Sequence, residues 1–254
     1  GSGLMTLERI QTLWIGPRLS ALEQLALTSF VHHGHRVELY SYAEISGVPP
    51  GVTVCDANAI LPESRVFLYR EHRSYSGFSN YFRYRLLLER GGCWADMDLV
   101  ALGPLAFGDE HVFSSEHARG RVVATTSFIK APAGSAAMQR AWDICEAKDP
   151  AQIRWGETGP RLLDEVVASL GMQSFVRPPE SFCPVRHADW ESLLDPNAPA
   201  LAGEALAVHL WNEMWRRNGR DKDAAYDPRC PYEQLKSRYG LRTETPRAPE
   251  TASA

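Results

Sequence analysis

Apolar runs and amphipathic segments alternate along the first part of the chain. Residues 10–16 are mostly apolar and end at a Gly-Pro pair, which predicts a buried strand followed by a turn. Ser20 stands three residues before Glu23, a capping-box spacing that predicts the start of a helix. Residues 37–42 then return as a second strand. A strand, a helix and a strand in this order indicate an open, mostly parallel α/β sheet, in which ligands bind at the carboxyl ends of the strands.

The rest of the chain continues this pattern. Residues 76–90 predict a helix that stops at Gly91-Gly92, and residues 93–102 predict one continuous strand. The other predicted elements are a short strand at 52–56, a strand at 122–129, a helix ending near 147, a helix from 159 to 170 and a last structured part at 205–216. We therefore expect one domain over residues 4–242, with halves at about 10–103 and 104–242. Residues 243–254 are polar and rich in Pro and Ala, which predicts a disordered tail.

The composition excludes several classes of function. The net charge of −4 gives no sign of the basic face that binds nucleic acid. The five cysteines are dispersed and form no C-x-x-C pair, so we expect neither a zinc site nor a disulfide framework, and a reducing compartment, the cytoplasm, fits better. No apolar run reaches the roughly 18 residues that span a membrane, and no signal peptide opens the chain.

One basic run stands out near the end of the chain. It consists of Arg216, Arg217, Arg220 and Lys222. Such a run is either a solvated surface or a patch that faces phosphate groups or an anionic membrane. Peripheral contact with the inner face of a membrane is therefore an additional expectation.

Asp96 and Asp98 carry the strongest chemical signal in the sequence. Two residues apart on an extended strand, their carboxylates would point to the same side, where one cation can meet both. Hard oxygen ligands of this kind suit Mg²⁺ or Mn²⁺. Any edge strand can carry two outward aspartates, but here the pair follows Gly91-Gly92 and the apolar residues 93–95. Charges beside such residues are costly to bury without a cation.

The helix before this pair has two polar residues on one face. Asn80 and Arg83 are spaced i and i+3, so they project together. In one interpretation Arg83 pairs with Glu89 on the surface. In the other, Asn80 and Arg83 face a ligand, and the guanidinium gives hydrogen bonds of fixed geometry to hydroxyl or phosphate groups.

Together these segments resemble glycosyltransferase family 32, which includes the α-1,4-galactosyltransferases and a group of mannosyltransferases, and they are similar to the glucosyltransferase domains of the large clostridial toxins. Residues 79–98 read SNYFRYRLLLERGGCWADMD, close to the family pattern of S-D-x-x-R-Y, a helix, G-G, an aromatic residue and D-x-D. Three further segments share the resemblance: Leu13-Trp14-Ile15-Gly16, Thr158-Gly159-Pro160 and His209-Leu210-Trp211-Asn212.

The resemblance implies a GT-A-type α/β fold, in which the first half binds a nucleotide-sugar and the second half binds the acceptor. It implies a cytoplasmic enzyme of polysaccharide synthesis that moves a sugar from UDP-sugar to a glycan or glycolipid hydroxyl, with Mn²⁺ or Mg²⁺ and with retention of configuration. The implied metal ligands are Asp96, Asp98 and His209, and the implied catalytic residues are Asp96, Asp98, Arg83 and Asn80. The implied donor-binding residues are Leu13, Trp14, Ile15, Gly16, Ser79, Asn80, Arg83, Tyr84, Asp96, Met97 and Asn212. The implied acceptor-binding residues are Thr126, Glu157, Thr158 and Gly159.

The sequence departs from the family in two places. Asn80 stands where the family usually has an Asp that binds donor hydroxyls, and Thr125-Thr126 stands where relatives often place Asn. Because Asn still donates and accepts hydrogen bonds but carries no charge, the first departure bears on the donor sugar more than on the reaction.

Plainer interpretations stay open for several aromatic and imidazole groups. Trp14 either stacks on a base or belongs to the core. His209 is either a metal ligand or a hydrogen-bonded structural residue. We expect Trp211 and Trp215 to serve packing.

Two rival functions remain. Residues 96–100 also satisfy the D-x-D-x-[TV] signature of haloacid-dehalogenase-type phosphohydrolases, although that motif normally follows the first strand. The chain could also be an inactive module that binds nucleotide-sugars.

Overall fold

The computed structural model describes residues 6–69, 71 and 73–241. The tail predicted at 243–254, together with residues 4, 5 and 242 of the predicted domain, lies outside these residues. In chain order the strands are β1 (Ile10–Leu13), β2 (Val37–Ser41), β3 (Val52–Asp56), β4 (Gly92–Ala95), β5 (Leu99–Ala101), β6 (Val112–Ala118), β7 (Arg121–Ala131) and β8 (Ala207–His209). The helices are α1 (Ala21–His32), α2 (Ser76–Arg90), α3 (Ala136–Glu146), α4 (Pro160–Ser169), α5 (Pro179–Phe182), α6 (Asn212–Arg217) and α7 (Pro231–Arg238).

Six strands form the main sheet in the order β3-β2-β1-β4-β7-β6. The first four run parallel, whereas β7 is antiparallel to both β4 and β6. Strands β5 and β8 form a separate antiparallel pair. The predicted fold class, an open and mixed sheet flanked by helices, is confirmed.

Local chemistry explains where α1 begins. The backbone N–H of Ser20 donates to Glu23 Oε1 at 3.0 Å, as the capping-box spacing predicts. Every residue of β1 and β2 is buried, as parallel strands covered on both faces require. Because β1 and β4 are parallel neighbours in the sheet, their carboxyl ends lie next to each other.

The prediction of one continuous strand over residues 93–102 is wrong. The chain leaves the main sheet after Ala95, turns at Asp96, Met97 and Asp98, and continues as β5 in the second sheet. The turn is closed by the Leu99 N–H, which donates to the Asp96 carbonyl at 3.1 Å. Apolar residues on both sides of the turn gave the sequence a strand-like pattern. The aspartates are thus brought together by a turn and not by an extended backbone.

Gly91, at the end of α2, is required by close packing as well as by its backbone. It has a φ of +64°, and a Cβ there would lie 2.6 Å from the backbone nitrogen of Ala133. A side chain at this position would collide with the backbone at Ala133, and backbone cannot move aside as a flexible side chain can. This explains why a Gly-Gly pair precedes the aspartates.

His35 fastens the start of the chain to the loop after β5. Its Nδ1 lies 2.6 Å from the carbonyl oxygen of Glu8, and its Nε2 accepts the N–H of Leu105 at 3.0 Å. This arrangement needs a neutral imidazole that donates from Nδ1. Burial, the largest effect, lowers the pKa of His35, and it also lowers the pKa of His33 and His111.

We expect the buried His35 to make the folded protein less stable in mild acid. Because the folded state favours neutral imidazole, the unfolded chain takes up protons first as the pH falls through about 6.5, the ordinary pKa of histidine. The free energy of unfolding should therefore fall more steeply between pH 7.5 and 5.5 in wild type than in His35→Gln, as measured by urea titration at each pH. An identical slope in wild type and His35→Gln would contradict the assignment.

Candidate metal and ligand site

A cleft of about 890 Å³ opens at the carboxyl ends of β1 and β4. One wall comes from these strand ends, and the opposite wall comes from α6 and the segment that follows it. Most of the residues predicted to bind the donor line this cleft: Leu13, Trp14, Ile15, Ser79, Arg83, Asp96, Met97 and Asn212. The sheet edge predicted to bind a ligand is therefore a real concavity.

Asp96, Asp98 and His209 meet on the floor of this cleft. Each side chain has a ligand atom, and the three atoms lie within 4.8 Å of one another. The register of the second sheet explains the third member, because Leu99 of β5 pairs with His209 of β8. The sequence prediction of these three residues as one cluster thus agrees with their positions in the structure.

Asp96 is held by two groups that converge on the same oxygen. Its Oδ1 accepts Nη1 of Arg83 at 2.7 Å and Nε1 of Trp94 at 2.8 Å. Arg83 is buried and also donates to the Thr126 carbonyl and to Ser79. The alternative that Arg83 pairs with Glu89 is wrong: Arg85 takes that partner, at 2.7 Å. Arg83 orients the carboxylate from behind.

Asp98 is held by the turn between β8 and α6. Its Oδ2 accepts the backbone N–H of Asn212 at 3.0 Å and lies 3.3 Å from Nε2 of His209. Its own carbonyl accepts the Leu210 N–H at 2.9 Å. Asp98 is thereby fixed by both its side chain and its backbone.

The two carboxylates differ in their tendency to ionise. Burial, followed by the charge of Asp98, raises the pKa of Asp96 against the opposing effect of Arg83. Burial also acts on Asp98, but His209 and the Asn212 N–H outweigh it and lower the pKa of Asp98. Burial lowers the pKa of His209, and the charges of Asp98 and Asp96 more than compensate, so the net pKa is raised. Without a cation, Asp98 and His209 thus each favour the charged form of the other.

Each carboxylate keeps one oxygen for a ligand. Oδ2 of Asp96 and Oδ1 of Asp98 accept no hydrogen bond from another residue that the structure describes, while their partner oxygens are fixed by protein groups. Ligands oriented by an outer shell in this way are typical of metal sites. Two carboxylate oxygens and an imidazole nitrogen match the donor set of Mn²⁺ or Mg²⁺, so these residues fit a divalent cation.

Trp14 lies at the end of the cleft beyond β1. It is half-buried, its Nε1 donates to the Arg18 carbonyl at 3.1 Å, and Nζ of Lys222 lies 5.8 Å from the centre of its ring. Gly16, also predicted to bind donor, does not line the cleft; it packs against Trp14, because a Cβ there would lie 3.2 Å from the indole nitrogen. The indole therefore presents a fixed face to the cleft.

The structure places Asn80 and Tyr84 beneath the cleft, not in its lining. Nδ2 of Asn80 donates to the Thr158 hydroxyl at 3.3 Å, and the Tyr84 hydroxyl donates to the Thr158 carbonyl at 2.8 Å. Both side chains are buried. They fasten the loop before α4 to α2, and direct contact with a ligand stays a prediction for both.

The residues predicted to bind the acceptor do not line the cleft either. Thr158 and Gly159 are buried against α2. Thr126 is buried, and its carbonyl is bound by Arg83. Glu157 pairs with Lys148 at 2.8 Å, outside the cleft. Their role toward an acceptor stays a prediction. In the structure, the contacts of Glu157, Thr158 and Gly159 hold the loop before α4 in place.

Several residues of the cleft were not predicted from the sequence. Tyr75 and Arg73 are exposed at the mouth, and Trp155, His187 and Trp211 line the walls. A periodic pattern gives no signal for such positions, because they lie in loops. The basic run was predicted with two alternatives, and all four of its members line the cleft, which favours the phosphate-facing alternative.

Lys222 connects this run with the rest of the site. Its ammonium group lies 2.8 Å from Oδ1 of Asn212 and 2.9 Å from Oε2 of Glu23. It thus stands between Trp14 and the turn that holds Asp98. The positive charge of Lys222 in this position suits an anionic group that extends from the Trp14 ring toward Asp98.

Comparison with known proteins gives one family match. Residues 151–244 match the model of a family described as the alpha 1,4-glycosyltransferase conserved region. This range contains His209 and Asn212, whereas the turn with Asp96 and Asp98 precedes it. No curated protein sequence matches the chain.

Among solved structures, similarity is weak in sequence and partial in structure. The PaToxG glycosyltransferase has 14% identity and a TM-score of 0.49, covering 64% of this chain and 69% of that chain. The WbbM bifunctional glycosyltransferase has 11% identity and a TM-score of 0.44, covering 91% and 51%. The glycosyltransferase GlyE of Streptococcus pneumoniae has 12% identity and a TM-score of 0.38, covering 69% and 46%. Within residues 6–69, 71 and 73–241, no helix has the length and apolar character needed to cross a bilayer.

Proposed function

We propose that this chain, which its family match supports as a glycosyltransferase, moves a sugar from a nucleotide-sugar to a hydroxyl of a glycan or glycolipid with the help of a divalent cation. The observation that carries the proposal is the pair of carboxylate oxygens that accept no hydrogen bond from another described residue, beside His209 in a cleft. UDP-sugar is the proposed donor class. A cytoplasmic location, with contact at the inner face of a membrane, stays a prediction.

Asp96, Asp98 and His209 would hold Mn²⁺ or Mg²⁺ in this proposal. When bound, such an ion supplies positive charge against the diphosphate that leaves the sugar, the kind of charge stabilisation that contributes most to many enzymatic rates. The protein's own part is to fix both carboxylates beforehand, through Arg83 and Trp94 for Asp96 and through the 209–212 turn for Asp98. Ligands fixed in advance need little reorganisation during the reaction.

The neighbouring groups are placed to bind the other parts of a nucleotide-sugar. Trp14 offers an aromatic face for a base, a contact that any base can make. Lys222 and Asn212 lie between Trp14 and Asp98, where the diphosphate would extend. The guanidinium of Arg83 already donates four hydrogen bonds, to Asp96, Thr126 and Ser79, so we assign it to orienting Asp96 and not to direct sugar binding.

We further propose that transfer retains the anomeric configuration by attack from the face that the diphosphate leaves. Retaining glycosidases use a second carboxylate as a nucleophile. Apart from Asp96 and Asp98, the described carboxylates that line the cleft already have partners: Glu23 binds Ser20, Glu213 binds Arg216, Asp223 binds Arg18, and Asp221 accepts the Asp223 N–H. The coupling constant of the anomeric proton in the product distinguishes retention from inversion, and inversion would contradict this step.

A thermal-shift screen tests the donor class directly. UDP, GDP, CMP and their common sugars are each added with and without Mn²⁺. We expect one nucleotide, UDP, to raise the melting temperature only when Mn²⁺ is present, because a ligand that binds the folded state alone stabilises it by mass action. Equal shifts with and without the metal would contradict the proposed cation site.

The screen also separates the rival functions. A metal-dependent shift without any turnover of the sugar nucleotide would favour an inactive binding module. Phosphate release from a generic ester would favour the phosphohydrolase. The fold also weighs against the phosphohydrolase. The motif of that enzyme normally follows the first strand, whereas here the D-x-D turn follows β4, the fourth strand in the chain.

A further inference from the structure

Trp211 has a backbone conformation that is unfavourable for a bulky side chain. It lies between β8 and α6 with φ 58° and ψ 48°, in the left-handed region. Residues other than glycine rarely adopt this region, and large ones are outliers there. Such strain persists only where surrounding contacts maintain it, and it concentrates at functional sites. Trp211 follows the metal-ligand candidate His209 by two residues.

The indole of Trp211 is fixed by three neighbours. Its Nε1 donates to the Val185 carbonyl at 2.8 Å. The ring meets the imidazole of His209 edge-on, with ring centres 4.3 Å apart, and meets His187 in the same way at 5.2 Å. The indole thus packs edge-on against the His209 ring, and the Val185 carbonyl holds the indole in place.

The left-handed backbone determines where the next amide points. Directly after Trp211, the Asn212 N–H donates to Oδ2 of Asp98 at 3.0 Å. Directly before it, the Leu210 N–H donates to the Asp98 carbonyl at 2.9 Å. Trp211 is thus flanked by two amides that both bond Asp98, one to its backbone carbonyl and one to its side chain.

We infer that Trp211 is a positioning residue of the metal site and not a packing residue alone. Its backbone directs an amide to Asp98, and its indole fixes the ring of His209. This inference rests on the proposed cation site. Removing a residue that orients metal ligands from outside typically weakens metal affinity by about 10- to 100-fold.

The test measures Mn²⁺ affinity without any donor or acceptor, using the full chain and the EPR signal of free Mn²⁺. Trp211→Gly removes the ring but tolerates the left-handed backbone, so the fold should survive. We expect its Kd for Mn²⁺ to rise about tenfold. Trp211→Asn makes the same test if the glycine variant does not fold, because asparagine also adopts this conformation. Trp211→Phe keeps a ring edge beside His209 and should stay within about threefold of wild type.

A matched control separates strain relief from metal positioning. Arg119, at the tip of the β6–β7 hairpin, also has a left-handed backbone, with φ 53°. Arg119→Gly relieves strain of the same kind at a residue that does not line the cleft, and it should leave the Kd unchanged. Melting temperatures of all variants are recorded on the same samples, since a purely structural role for Trp211 would change these and not the Kd.

The outcomes distinguish this inference from the proposed function. If wild type binds Mn²⁺, Asp98→Asn does not, and Trp211→Gly and Trp211→Asn bind within about twofold of wild type, the positioning role is overturned and the metal site stands. A phenylalanine variant as weak as the glycine variant would overturn the role of the ring edge. If wild type binds no Mn²⁺, or Asp98→Asn binds equally well, the proposed cation site fails and this inference fails with it.

Discussion

Asp98→Asn should lower the rate of sugar transfer by about a thousandfold or more and abolish the Mn²⁺-dependent binding of nucleotide. Losing one group that stabilises developing charge costs on the order of a hundred- to a thousandfold, and here a metal ligand is lost as well. The asparagine carbonyl oxygen can still accept the Asn212 N–H, as Oδ2 of Asp98 does in wild type. The amide NH₂ then faces the oxygen position meant for the cation. The fold should be intact, since size and shape are kept.

The comparison requires an aspartate that plays no part in the cleft. Asp195 is exposed, and its Oδ1 accepts the Asn197 N–H at 2.8 Å, a bond that asparagine can replace. Asp195→Asn should therefore transfer sugar and bind Mn²⁺ like wild type. Transfer rates, Mn²⁺ affinity and circular dichroism are measured for both variants. Full transfer activity in a folded Asp98→Asn protein would remove the central claim about this site.

Arg83→Met should cost about 3–5 kcal/mol of unfolding free energy and most of the activity. Arg83 is buried and pairs with Asp96, and removing one partner of such a pair leaves an uncompensated charge. It would also leave the Thr126 carbonyl without its donor. Protonation of Asp96 can relieve part of the cost, but a neutral Asp96 is a poorer metal ligand, so activity falls either way. Denaturant titration and transfer assays measure the two effects separately.

Arg85, two residues further along α2, provides the matched control. Its pair with Glu89 at 2.7 Å is about one-third exposed on each side. Pairs of this kind contribute about 0–1 kcal/mol, so Arg85→Met should be nearly neutral in both assays. If the two substitutions changed stability and activity equally, the buried pair of Arg83 with Asp96 would contribute no more than the exposed pair of Arg85, which would contradict this prediction.

The sequence predicted those elements whose signals are local. A capping box, an apolar run and a helix that ends at Gly91-Gly92 are each written within a few residues, and the structure has them where they were expected. The proximity of Asp96 and Asp98 was predicted for a wrong reason, because a turn with apolar residues on either side looks like a continuous strand. The distinction depends on β5 pairing with β8, a contact between distant segments that no local pattern records.

Asp96 and Asp98 were proposed from their spacing, whereas most of the other proposed donor-binding and metal-binding residues came from a resemblance, which reached less far for the loops. Asn80 and Thr158 both match family motifs, yet here they bond to each other beneath the cleft. Trp211 was expected only to pack, since nothing in a sequence signals a left-handed tryptophan. Loop residues such as Tyr75 depend on how the loop is supported by tertiary contacts, and those become visible only in the fold.

The pairing of β5 with β8 also determines when, during synthesis of the chain, the proposed metal site can form. Asp98 and Asn212 are 114 residues apart in the chain, so their contact closes a long loop, and contacts of this kind form slowly. A chain emerging from the ribosome holds both aspartates long before it holds His209. It therefore cannot assemble the three-ligand cluster until β8 has appeared. In the proposed site, a bound ion would therefore join two segments that the ribosome makes at different times, the turn before β5 and the end of β8.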